Sequence, residues 1–293
     1  MMASFAGSSA VREVFGEASE ALNEDLWKLV AEGPAEALNA TVNTQPVMLT
    51  AGYAVYCAWR AEGGPEPAMV AGHSLGEYTA LVAAGVLEFR DAVPLVRFRA
   101  QAMQEAVPVG AGAMAAILGL DDDAVRVACS EAAQGEVVEA VNFNAPSQVV
   151  IAGHKAAVER AAAAAKAKGA KRALMLPVSA PFHASLLKPA ADRLSEYLAR
   201  IDFQPPRIPV VNNVDVTVLD DPSAIKASLA RQACNPVRWV EVVRQLAANG
   251  ITHVAECGPG KVLSGMTKRI SPTLESHAIS DPQTLAQTLE AIR

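Results

Sequence analysis

Apolar residues recur at three- and four-residue spacing from about Val11 to Leu29. Val14, Ala18, Ala21, Leu22 and Leu26 share one face and Trp27 lies near the end, which predicts one amphipathic scaffold helix. Pro46 suits the first turn of a second helix, largely apolar through Met48, Tyr53, Val55 and Trp59 and stopped before Gly63-Gly64. The run Ala68-Met69-Val70-Ala71, followed by Gly72-His73-Ser74-Leu75-Gly76-Glu77-Tyr78 and a helical segment to about Gly85, reads as strand, sharp turn, helix. Asp91 is placed to cap the next helix, to about Ala106, with Pro94 in its first turn. On that helix Ala92, Leu95, Val96, Met103 and Ala106 form an apolar stripe opposite Arg97, Gln101, Gln104 and Glu105, and Arg99 lies within the stripe.

From Gly110 to Val178 the pattern shifts to small residues. It predicts strand Ala113–Leu118, helix Asp122–Ala132, strand Val137–Asn142, strand Gln148–Ala152, helix Lys155–Lys168 and strand Ala173–Val178. This βαββαβ order is the ferredoxin-like split unit. The expected division is a small ferredoxin-like subdomain at 110–180, inserted into a large α/β domain made of 1–109 and 181–293. The chain re-enters the large domain through Ser179-Ala180-Pro181-Phe182-His183-Ala184 and a helix bearing Leu187, Ala190, Leu194 and Leu198. A strand at Ile208–Val214, a helix over Ser223–Gln232, a helix opened by Asn235-Pro236, a strand at Ile251–Glu256, a helix after Gly258-Pro259-Gly260-Lys261 and a last helix from Pro282 follow. The glycine turn at 258–261 lacks the spacing of a phosphate loop. Strands alternating with helices on both sides of the insertion predict a mainly parallel, α/β-hydrolase-like sheet domain.

Composition narrows the function classes. The 293 residues are 51% hydrophobic, enough for a substantial core, and the net charge of -6 gives no global attraction to nucleic acid or anionic lipid. No nucleic-acid partner and no membrane association are expected. Cys57, Cys129, Cys234 and Cys257 are scattered, with no C-x-x-C pair and no metal-ligand spacing with histidine. Free thiols, no bound metal and a cytoplasmic location are expected. No apolar run approaches a membrane span, and Met1-Met2-Ala3-Ser4-Phe5 has neither the basic nor the apolar region of a signal peptide.

The candidate chemistry begins at Ser74. Gly72, Ser74 and Gly76 fit the G-x-S-x-G nucleophile elbow, in which missing side chains let strand and helix approach and push the hydroxyl outward. The unpaired amides of the following helix, beginning with Leu75, can stabilise the oxyanion formed when a carbonyl is attacked. An ordinary βα turn is the bland alternative. Arg99, facing inward, needs an anion: a structural Asp or Glu, or a ligand carboxylate held by a two-pronged hydrogen bond. His183 is expected at a helix N-terminus, whose dipole would keep it neutral and able to accept a proton, although a capping or packed histidine is the commoner case. Lys166, Lys168, Lys171 and Arg172 form a local basic cluster whose plain meaning is a solvated helix end.

With elbow, inward arginine, ferredoxin-like insert and later histidine together, the chain resembles the malonyl-CoA:acyl carrier protein transacylases of fatty-acid synthesis. The likeness covers nearly everything from Glu13 onward. GHSLGEY (Gly72–Tyr78), the MQEAVP segment after Arg99, VNFN (Val141–Asn144), QVVIAGH (Gln148–His154), VVNNVD (Val210–Asp215), NPVRW (Asn235–Trp239) and GPGKVL (Gly258–Leu263) carry it. The resemblance implies that Ser74 forms a malonyl ester, with His183 exchanging its proton and Arg99 clamping the malonyl carboxylate. It implies that Gln232 lies near the malonyl group, that a carbonyl from its neighbourhood orients the histidine, and that His73, Leu75 and Asn142 belong to the substrate site. A basic surface of Lys171, Arg172, Lys268 and Arg269 is implied as the docking site of the acidic acyl carrier protein.

The resemblance further implies double displacement between malonyl-CoA and the carrier's phosphopantetheine thiol. No cofactor is expected beyond those the substrates carry, and the chain is expected to be a monomer. Family members open with a strand and an FPGQGSQ-type turn whose glutamine helps form the oxyanion hole. This sequence has neither, so one strand and one oxyanion donor are expected to be missing. Two rivals remain at this level: a serine thioesterase or esterase using Ser74, Asp215 or Asp220, and His253, and a non-catalytic carrier-protein-binding relic.

Overall fold

The computed structural model describes residues 2–178 and 180–292; Met1, Arg293 and Ser179, in the expected return segment, lie outside the described residues. Helix α1 (Ser9–Leu22) starts at Ser8, whose side chain accepts from the Val11 amide, and stops at Asn23, which turns left-handed at φ 53°. The single helix expected to Leu29 is therefore two, because Asp25 caps a separate α2 (Leu26–Glu32) through the Lys28 amide. After α3 (Ala35–Asn39), helix α4 (Thr41–Ala61) begins five residues before Pro46 rather than at it. The proline costs α4 an interior N–H, and the helix is held there by burial of Gln45, Val47, Leu49, Ala51, Ala54 and Val55. Strand β1 (Val70–Ala71) leads through the serine turn into α5 (Leu75–Ala83). Helix α6 (Phe89–Glu105) starts after Glu88, so Asp91 lies in its first turn and does not cap it.

The inserted unit runs β2 (Gly112–Leu118), α7 (Asp122–Ala133), β3 (Val138–Ala145), β4 (Gln148–His154), α8 (Lys155–Ala167), β5 (Arg172–Met175). Its four strands pair in the antiparallel order β3-β4-β2-β5. That is the ferredoxin-like arrangement, with β5 shorter and β3 longer than expected. One face is covered by α7 and α8 through Ile117, Val125, Cys129, Val149, Ile151, Val158 and Ala161. The other face, with Met114, Val141 and Val150, meets Ala184 of the large domain.

The large domain resumes with α9 (Lys188–Leu198), β6 (Val210–Val211) and α10 (Pro222–Gln232), the last capped by Asp221 at the Ala224 amide. Helix α11 (Trp239–Ala248) opens at Arg238, not at Asn235-Pro236, which remain in the preceding turn. β7 (His253–Cys257), α12 (Val262–Ile270), β8 (Glu275–Ile279) and α13 (Pro282–Ile292) complete the chain. β1 pairs parallel with β6 and β7 parallel with β8, so both strand pairs described in this domain are parallel, as an α/β-hydrolase-like domain requires. The sequence pattern overestimated β6 and did not reveal β8. The main core gathers α1, α4, α5, α6, α9 and α10, and a second cluster packs Trp239, Val242, Val243 and Ile270 beneath the strands. All four cysteines are free, and among the described residues no helix is long and apolar enough to cross a membrane.

Candidate active site

Ser74 sits between β1 and α5 at φ 52° and ψ -107°, a backbone state that a side chain rarely adopts and that surrounding contacts must enforce. Gly72 makes the turn possible: a Cβ there would lie 1.9 Å from the Gly76 carbonyl carbon and 2.0 Å from its oxygen. A Cβ on Gly76 would meet nothing, so of the two glycines in the motif only the first is demanded by space. Asn213 clamps the turn from the strand side. Its Oδ1 accepts from the Ser74 amide at 2.7 Å and its Nδ2 donates to the Gly72 carbonyl at 2.8 Å. In the first turn of α5, the Gly76 and Glu77 amides donate to His73 and Ser74 carbonyls, whereas the Leu75 amide has no acceptor among the described residues. It is therefore available to a developing oxyanion.

His183 Nε2 lies 2.7 Å from Ser74 Oγ, and its Nδ1 lies 2.8 Å from the Gln232 main-chain carbonyl. A carbonyl can only accept, so Nδ1 carries the proton and Nε2 is left to take the serine proton. The residue is not at a helix start as expected. It occupies a turn at φ 66°, ahead of a short 3₁₀ turn at Ser185–Leu187 and of α9. What keeps its imidazole neutral is burial, and then the nearby Arg99 charge, which together push its pKa down to about 3.

Arg99 is 2% exposed. Its Nη1 donates to Gln45 Oε1 at 2.8 Å, and its Nη2 donates to Gln232 Oε1 at 2.9 Å and Ser74 Oγ at 3.1 Å. Burial lowers its pKa, but a guanidinium does not give up its proton in a protein. No carboxylate touches it among the described residues. The nearest link to one is indirect: Gln232 Nε2 donates to Glu77 Oε2 at 2.9 Å, and the Asn213 amide donates to the same oxygen at 2.9 Å. Glu77 is buried, and desolvation pushes its pKa up to about 7 against the lowering pull of Gln232, Asn213 and Arg99. Gln232 Nε2 also donates to the Ser74 carbonyl at 2.9 Å, so this one side chain joins nucleophile, arginine and glutamate.

Other expected residues fall into place unevenly. His73 Nε2 lies 2.8 Å from Asn144 Oδ1 and its ring packs against Trp239, which braces the elbow from the inserted unit. Asn142 is buried at a parallel bridge to Val237, with its Oδ1 unpartnered among the described residues. Neither form of the rival trio is assembled among the described residues: Asp215 is paired with Arg231, Asp220 is exposed with no hydrogen bond to His253, and His253 lies beside Thr252 and Glu275, away from Ser74. Lys171 and Arg172 lie at the start of β5, where Leu118 is paired with both Arg172 and Gln148, and Arg269 donates to Gln148 and to the Pro146 carbonyl. These basic residues thus gather at one end of the inserted sheet, with Lys268 adjacent on α12.

Gln45, Glu77, Asn144 and Asn213 were not singled out from sequence. Glu77, Asn144 and Asn213 lie within the motifs GHSLGEY, VNFN and VVNNVD, whereas nothing in the sequence around Gln45 marks it.

The acyl transferase domain family matches residues 2–289 of the chain. The chain belongs to that family. Membership makes it an acyltransferase, and relatives add detail. The malonyl CoA-acyl carrier protein transacylase of Escherichia coli (strain K12) is 58% identical over 291 residues, spanning 99% of this chain and 94% of that relative. The crystal structure of an acyl-carrier-protein S-malonyltransferase from Burkholderia pseudomallei 1710b is similar with a TM-score of 0.98 and 65% identity, covering 99% of this chain and 94% of that one. A malonyl-transacylase solved in complex with its type II PKS acyl-carrier protein gives a TM-score of 0.98 at 52% identity, again over 99% and 94% of the two chains.

Proposed function

We propose that this acyltransferase moves a malonyl group from malonyl-CoA to the phosphopantetheine thiol of acyl carrier protein through an ester on Ser74, supplying fatty-acid elongation. The observation that carries the acyl preference is Arg99, a buried cation whose Nη2 is 3.1 Å from the Ser74 hydroxyl and whose partners are neutral. A carboxylate on the acyl group supplies the missing anion. An acetyl group would leave the charge unpaired, the kind of mismatch by which a polar site rejects an analogue.

In the first half-reaction Ser74 Oγ adds to the thioester carbonyl while its proton passes to His183 Nε2. The Leu75 amide faces the developing oxyanion, the C–S bond breaks, and CoA leaves as the thiol with the proton from His183. In the second half the carrier thiol gives its proton to Nε2, attacks the ester and departs acylated, and Ser74 recovers its proton. Arg99 depresses the basicity of His183 in the empty site, so a malonyl carboxylate seated on Arg99 cancels part of that field and strengthens the base when substrate is present. The chemistry asks for no metal or redox cofactor. Lys171, Arg172, Lys268 and Arg269 are the proposed docking surface for an acidic carrier protein, with no nucleic-acid or membrane partner. The chain is taken as a cytoplasmic monomer with 110–180 inserted between 1–109 and 181–293.

The test is the intact mass of the chain after brief incubation with malonyl-CoA or acetyl-CoA, beside Ser74→Ala. The expected result is a malonyl-sized increment that requires Ser74 and is absent with acetyl-CoA. Equal labelling by both thioesters would remove Arg99 from the acyl preference, and labelling of Ser74→Ala would remove Ser74 as nucleophile.

A further inference from the structure

β7 and β8 run parallel, with His253 paired to Glu275 and Ala255 paired to His277. Side chains two residues apart on a strand share a face, so Glu275 and His277 lie on one face of β8 with His253 beside them on β7. The placement of the side chains agrees. One ligand atom from each of His253, Glu275 and His277 lies within 4.8 Å of the others, although the two imidazole rings are stacked at 5.9 Å and must turn to face a common ion.

Two further observations concern the ring nitrogens. Thr252 Oγ1 is 3.0 Å from His253 Nδ1, and an Nδ1–H donating there leaves the lone pair on Nε2, the atom 3.5 Å from Glu275 Oε2. A second hydrogen bond of this kind is what fixes the tautomer of a metal-bound histidine. His277 Nε2 is buried from solvent and has no hydrogen-bond partner among the described residues. A buried ring nitrogen without a partner is costly in a protein, and a cation satisfies it.

We propose that His253, Glu275 and His277 form a site for a divalent transition-metal ion of the zinc type, sharing no residue with the Ser74–His183 centre. Two imidazoles and one carboxylate suit zinc by ligand type, and the closing of a 4.8 Å cluster onto one ion requires only side-chain adjustment at a partly exposed sheet face. Three protein ligands leave a coordination position for water. The ion would tie β7 to β8, the two strands joined by α12, and so brace the helix that carries Lys268 and Arg269. Its role is structural, and acyl transfer does not pass through it.

The test is calorimetric titration of the metal-stripped full chain with zinc chloride, repeated with cobalt(II) and read by its visible absorption. One equivalent should bind, with the cobalt spectrum of a four- or five-coordinate site and a rise in Tm. His253→Gln and His277→Ala should each weaken zinc binding by at least about tenfold, remove that cobalt spectrum and abolish the rise in Tm. Tm of the metal-free variants shows that they are folded, and His253→Gln, at a partly exposed position, serves if His277→Ala is not. Absence of stoichiometric binding, or binding that survives in the folded variants, would overturn the proposal. In the latter case the metal would belong to other histidines or thiols.

Discussion

The inserted sheet buries Ala115, Ile117, Val149 and Ile151, while the space between α4, α5, α6 and α10 buries Gln45, Glu77, Arg99 and Gln232. The first region is closed by apolar side chains over a regular antiparallel ladder. The second holds a cation, a glutamate and two amides, groups whose desolvation is unfavourable unless each hydrogen bond is met. Arg99 Nε and Tyr78 OH have no well-formed hydrogen bond among the described residues, and the guanidinium instead lies over the Tyr78 ring, 5.2 Å from its centroid. A core built for stability alone would not collect such groups beside a nucleophile. The difference teaches that the inserted unit supplies a frame, and the large domain holds a preformed polar receptor at some cost to its own packing.

Substitutions can break this contrast. The largest stability loss is expected for Ile151→Ala, which opens a cavity in the inserted core and should cost about 2–5 kcal/mol in urea unfolding. Its malonylation of Ser74 should persist wherever the protein remains folded. Arg99→Ala should do the reverse, lowering kcat/KM for malonyl-CoA by roughly a hundredfold through loss of charged hydrogen bonds worth about 3 kcal/mol, and narrowing the gap to acetyl-CoA. If the gap did not narrow, Arg99 would be a structural cation.

Glu77→Gln sharpens the picture through pH. Because burial lifts Glu77 to about 7 from its usual 4.5, the folded state binds its proton more tightly, so its contribution to stability is full below 4.5 and lost as pH rises toward 7. His183 acts oppositely: its depressed pKa gives a contribution that is full above its usual 6.5 and lost as pH falls toward about 3. Unfolding of both proteins across this range should show that the variant lacks the Glu77 component, a difference on the order of 1–3 kcal/mol that grows from pH 4.5 to 7. A constant difference would mean that Glu77 does not change protonation there. The smallest effect on stability, within about 0.5 kcal/mol, is expected for Lys171→Glu with Arg172→Glu on the exposed rim. That pair should slow loading of carrier protein and leave malonylation of Ser74 intact, and an equal fall in both half-reactions would refute docking there.

What could be read from sequence follows the same division. The βαββαβ order was legible because Ala113–Leu118 and Gln148–Ala152 are short apolar runs, each followed by an amphipathic helix. Arg99 was visible as a charge in an apolar stripe. The partners of Arg99 were not, since Gln45 and Gln232 reach it from α4 and α10, and no local period announces a contact between distant helices. β8 was missed because Glu-Ser-His-Ala-Ile has no strand alternation, and its pairing with β7 alone makes it a strand. The same pairing sets His253 beside Glu275 and brings His277 near them, so the site proposed for a divalent ion is joined across two strands and has no spacing along the chain. The break at Asn23 escaped because the apolar period continues across it, whereas the backbone reverses there.

The Gln232 carbonyl behind His183 has a further consequence. A carboxylate in that place would stabilise the imidazolium and make a strong base; a neutral carbonyl does so far less. A weak base discriminates between acceptors by their acidity. A thiol, with pKa about 8.5, yields its proton readily, whereas bulk water, at about 15.7, does not. In the proposed reaction the Ser74 hydroxyl is itself hardly more acidic than water, and Arg99 Nη2, donating to it at 3.1 Å, eases its proton loss. For the incoming acceptor, proton affinity favours a thiol over water alongside the shape of the site.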